Sequence, residues 1–125
     1  MERSDTLLRR SLLVNGVFSI STGLIAFLFA DAISEFMSIE ALVLRFVGVA
    51  VLVFGLAVYW FSRHETIERG FALFTTVADL VWVVGSVVLL VGFPDLVSSG
   101  GSVLIAVVAL FVLGFAVGQW AGLRR

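Results

Sequence analysis

Residues 70–93 read GFALFTTVADLVWVVGSVVLLVGF. An α-helix of about this length, rising roughly 1.5 Å per residue, crosses the ~30 Å hydrocarbon core of a bilayer. The one charge in the stretch is Asp79. Three further apolar stretches, about 11–30, 41–62 and 101–123, are each long enough to do the same. Short polar segments divide the four, and the only proline, Pro94, falls in a divider, where its missing N–H costs least. The expected fold is all-α: a single integral membrane domain built as a four-transmembrane-helix bundle.

Composition points the same way. Of the 125 residues 61% are hydrophobic and 14% charged, whereas a soluble domain carries about 25% charged residues to cover its surface. There is no polybasic run to grip nucleic acid, so none is expected as a partner. With no cysteine, disulfides, thiolate metal sites and cysteine nucleophiles are excluded. The first apolar stretch follows Arg3, Arg9 and Arg10 like a signal peptide, but it outruns the usual ~7–15 residues of a signal core. Polar Asn15, Ser19, Ser21 and Thr22 also interrupt it, so it reads as a retained helix.

Charge placement sets the expected orientation. Between the first and second stretches lie Asp31, Glu35 and Glu40, and between the third and fourth lies Asp95, with no arginine in either divider. Arg3, Arg9, Arg10, Arg63, Arg69, Arg124 and Arg125 all fall at the opposite ends of the helices. By the positive-inside rule both termini are cytoplasmic, in a multi-pass protein of the cell inner membrane. Tyr59, Trp60 and Trp120 sit near the same ends, where interface aromatics belong.

Laid over itself so that Asn15 falls on Asp79, the chain pairs Ser11 with Thr75, Phe18 with Trp82 and Thr22 with Ser86. Phe29, Asp31 and Ser34 then fall on Phe93, Asp95 and Ser98. The matched positions are largely the polar ones, which suggests two parallel helical-hairpin repeats, as in some transporters.

Asp79 is the residue to explain. Counted from Gly70 it lies about 13–14 Å into the membrane, near the midplane, where a carboxylate costs at least ~2.5–3.5 kcal/mol. Thr75, Asp79, Trp82 and Ser86 share one helical face, and Ser11, Asn15, Ser19 and Thr22 form a matching face on the first helix. Asn15, Asp79, Thr75 and Ser86 are therefore the candidate intramembrane polar site, with an Asn15–Asp79 hydrogen bond at its centre. The site reads equally as a packing anchor or as a proton or cation site.

Arg45, one to two turns below the outer surface, is expected to snorkel toward Asp31, Glu35 or Glu40. Gly114, Gly118 and Gly122 form a small-xxx-small stripe on the last helix. The spacing leaves open whether that stripe packs inside the bundle, against a second copy, or against a membrane partner protein. Gln119 is placed near the cytoplasmic end, within reach of interfacial water. Residues 32–39 are mildly amphipathic and suit the membrane interface. His64, the only histidine, reads as a solvated loop residue. No phosphate loop, metal-binding helix motif or nucleophile elbow is present, so neither catalytic residues nor metal or cofactor ligands are assigned.

Leu44-Arg45-Phe46-Val47-Gly48, the run from Asp79 to Ser86, and the closing Gly122-Leu123-Arg124-Arg125 resemble small bacterial four-helix inner-membrane proteins of no assigned function. Similarity to DoxX-like proteins is architectural only. The resemblance implies a fold and supplies no activity. The leading expectation is a structural or accessory membrane protein whose surroundings are the lipid bilayer. The alternatives are a small transporter or channel subunit using Asp79 and Asn15, and a quinone- or redox-associated subunit.

Overall fold

A computed structural model of the chain describes residues 2–124, with side chains from 6 to 124, so the side chains of Arg3 and Arg125 lie outside the described residues. Helices run over α1 (Glu2–Leu28), α2 (Ala30–Met37), α3 (Ala41–Ser62), α4 (Arg69–Gly92) and α5 (Ser99–Arg124), with a 3₁₀ turn at Pro94–Leu96. There is no strand among the described residues. α1, α3, α4 and α5 are each long and apolar enough to cross a membrane, and the chain is a small multi-pass membrane protein.

The outside of the bundle is apolar, and its interior mixes apolar side chains such as Leu8, Leu12 and Val58 with polar ones. Large apolar side chains such as Leu28, Phe46, Val91 and Leu110 face outward, while Asn15, Ser62, Thr75, Thr76, Asp79 and Gln119 are buried. In hydrocarbon this arrangement is the stable one, because an apolar surface has nothing to lose there and a polar group needs a protein partner.

Neighbours follow the order α3, α1, α5, α4, and α3 and α4 do not pack along each other. α1 and α3 lie closest, because Gly16 and Gly23 on one helix alternate with Gly48 and Gly55 on the other. A methyl group at Gly23 would come within 2.6 Å of Leu52 N and 2.7 Å of Gly48 O, and one at Gly55 within 2.6 Å of Ile20 N. Backbone lies on backbone along this seam, and van der Waals contact holds it.

The first turns of α1, the last turn of α5 and the 63–68 turn share one end of the bundle, where Gly122 packs on Leu8. Arg9 fastens that turn, donating to the carbonyls of Ser62 (2.6 Å), Glu65 (2.8 Å) and His64. Arg69 donates to the carbonyl of Leu123, and Phe61 stacks on Phe71 with ring centroids 4.1 Å apart, so α3 and α4 meet here.

At the far end the amphipathic stretch expected at 32–39 is a two-turn helix over residues 30–37. Its first and last residues, Ala30 and Met37, are buried, and Ser38 ends it in the left-handed conformation with φ 62°. Ser98 ties this helix to α5 by donating its N–H to Met37 O (2.9 Å) and its hydroxyl to Phe36 O (2.5 Å). Phe29 and Phe93, paired in the repeat, each stand where a long helix breaks. The segments beyond them differ, a two-turn helix after Phe29 and a three-residue turn after Phe93.

Candidate functional site

Asn15 on α1, Asp79 on α4 and Gln119 on α5 converge in the bundle interior. Asn15 Nδ2 donates to Asp79 Oδ2 at 2.8 Å and to Gln119 Oε1 at 2.9 Å. Gln119 Nε2 donates to the same Asp79 Oδ2 at 3.0 Å and to Thr76 Oγ1 at 3.1 Å. Ser19 Oγ donates to Asn15 Oδ1 at 3.1 Å. Each amide thus places both N–H groups and one acceptor position of its carbonyl, so no donor is left over. Buried polar groups in hydrocarbon demand that completeness.

Gln119 and Thr76 are the members that sequence reasoning missed. Gln119 is fully buried, not at the interface. The signal was available in the spacing: Gln119 precedes Arg124 by as many residues as Asn15 follows Arg10, about 8 Å of helix rise in both cases. Equal depth on two helices running in opposite directions puts the two amides opposite each other. That depth also places the network nearer the end holding the termini than the midplane counted along α4.

The remaining sequence candidates lie apart from the network. Thr75 and Ser86 are buried on the same face as Asp79, but each hydroxyl donates back into its own helix, to Phe71 O (3.0 Å) and Trp82 O (2.8 Å). Arg45 Nη2 lies 3.1 Å from Asp31 Oδ1, in an ion pair open to the surroundings. Gly118 and Gly122 face α1, at Ser11 and Leu8, whereas a side chain at Gly114 would meet nothing within 4 Å. His64 rests against Trp60 and Phe61 at the surface, with Nδ1 2.9 Å from Trp60 O.

A cleft of about 200 Å³ adjoins the network. Phe18, Ser19 and Thr22 of α1, Ala50, Val51 and Phe54 of α3, Ala78, Asp79 and Trp82 of α4, and Val108 and Val112 of α5 line it. Both hydrogen bonds received by Asp79 fall on Oδ2. No buried side-chain oxygen among the described residues lacks a partner. Oδ1, which accepts none, is therefore reached from the cleft that Asp79 lines. The carboxylate has one oxygen committed to the fold and one presented to a space.

No cluster of His, Cys, Asp and Glu able to hold a metal ion occurs among the described residues. Comparison with protein-family models, curated proteins and solved structures finds no match to this chain.

Proposed function

We propose that this chain is a small transporter or channel subunit of the cell inner membrane, with both termini in the cytoplasm, whose buried Asp79 accepts a proton or a cation from the adjoining cleft. The orientation is supported by the arginines Arg9, Arg10, Arg63, Arg69 and Arg124, which gather at the end holding the termini. The accepting role is supported by one observation: Oδ2 receives both amides while Oδ1 is open to the cleft. An asparagine at this position accepts the same two hydrogen bonds through its carbonyl, without the several kcal/mol that a carboxylate in hydrocarbon costs. What only the acid supplies is a titratable oxygen, and it faces the cleft. This reading belongs with the transporter or channel-subunit class.

Packing alone is the second reading, favoured by the way the network ties α1, α4 and α5 together with no donor wasted. Infrared difference spectroscopy of lipid-reconstituted protein separates the two. An accepting Asp79 gives a carboxyl band that converts reversibly between its acid and carboxylate forms as pH changes, and Asp79→Asn removes that band while the helical fold persists. A wild-type spectrum in which no band assignable to Asp79 responds to pH leaves the packing reading in possession.

A further inference from the structure

We propose that the gap between α3 and α4 is a doorway from the hydrocarbon phase, and that the cleft behind it takes the protonated amine head of a lipophilic monocation against Asp79. The inference rests on the reading of Asp79 as an accepting group and names the ligand class.

The doorway follows from the order of the helices. α3 is held to α1 by the glycine seam and α4 lies along α5, whereas α3 and α4 come together chiefly at the end holding the 63–68 turn, where Phe61 stacks on Phe71 and Val58 and Ala72 share a buried cluster. Ala50 and Trp82, which line the cleft from the two sides of the gap, are both exposed. Each stands near the middle of its helix, many residues from either end. A mouth at that height opens on acyl chains, not on water. A solute arriving there is already dissolved in the bilayer.

The chemistry of the lining selects among such solutes. Asp79 is its only charged residue, and no cation faces it. The aromatic rings of Phe18, Phe54 and Trp82 surround the same space. A ring face attracts a cation and a carboxylate pairs with one, both more strongly where water is excluded. Ser19 and Thr22 add hydroxyl oxygens as acceptors for the remaining N–H groups of an ammonium head. The volume suits an aromatic ring or short chain carrying an amine, since a dry cavity of ~150 Å³ already holds benzene.

The test uses the full chain in lipid nanodiscs, with benzylamine as probe and benzyl alcohol as its neutral counterpart. Benzylamine is expected to bind saturably, one per chain. Benzyl alcohol to the wild type, and benzylamine to Asp79→Asn, are each expected to bind at least about tenfold more weakly, as for the loss of a desolvated charge pair. Ala50→Trp, or the smaller plug Ala50→Leu, is expected to suppress benzylamine binding while the infrared response of Asp79 persists. Equal binding of amine and alcohol, binding that survives in Asp79→Asn, or plugs without effect would each overturn the proposal. An infrared response from Asp79 with no amine bound removes the ligand class alone. Its absence removes the accepting role as well.

Discussion

Toward α3, α1 presents Gly16 and Gly23 and meets Gly48 and Gly55, and the two backbones touch with no hydrogen bond between their side chains. Toward α4 and α5 the same helix presents Asn15, and the contact there is a set of short polar bonds beside an unfilled cleft. The first interface is held by shape and tolerates no added atom. The second is held by directional bonds and leaves room. In a membrane, where burying an apolar side chain between helices gains little over leaving it in lipid, these are the two means available for bringing helices together. Here they occupy adjoining faces of one helix, ~80–100° apart around its axis.

The contrast is broken most severely at the seam. Gly55→Val is expected to destabilise the bundle by about 3 kcal/mol, because its new atoms meet the backbone of Ile20 and Gly16, which cannot give way. Reversible unfolding in mixed micelles reads this directly. A change close to zero would mean that α1 and α3 do not touch there.

The polar side is expected to lose less. Asp79→Leu strands the donors of Asn15 and Gln119 and costs about 1–2 kcal/mol, within the range found for hydrogen bonds between membrane helices. Asn15→Leu is expected to be harmful in the Asp79 background and close to neutral beside Asp79→Leu. Equal effects in the two backgrounds would remove the pairing from the account.

Glycines outside the seam sharpen the comparison. Gly114→Ala has open space around it and is expected to stabilise by up to about 0.5–1 kcal/mol through helix propensity. A clear loss, accompanied by a smaller assembly in size-exclusion chromatography, would place another chain on that face of α5. Arg45→Ala belongs to neither interface and is expected to change stability by less than about 0.5 kcal/mol, as for exposed ion pairs generally.

Hydropathy made the four long helices legible, because a run of ~20 apolar residues has few other uses. The Asn15–Asp79 contact was legible for a related reason: two polar faces at helical spacing in an apolar chain must find each other. Gln119 was obscured by its nearness to Arg124, which suggested solvent, although its depth equals that of Asn15. The amphipathic pattern of residues 32–39 was legible too, but not that Ala30 and Met37 at the two ends of α2 would be buried against the bundle. The glycine stripe illustrates a different limit. Gly114, Gly118 and Gly122 look equivalent in sequence, yet α1 lies against only two of them, since a spacing motif records a face and not what covers it.

The seam has a consequence for biogenesis. Its four glycines lie within the first half of the chain, and the Arg9 bonds that fasten the turn after α3 reach only to Glu65. During synthesis from the N-terminus that hairpin has every contact it needs while α4 and α5 are still to be made. Asn15 then waits in the young hairpin with its donors unspent, and the first partners able to satisfy them arrive with Asp79 and, last of all, Gln119. The amide thereby acts as a register mark for the later helices, since a slip of one turn in α4 or α5 would carry the matching group past it.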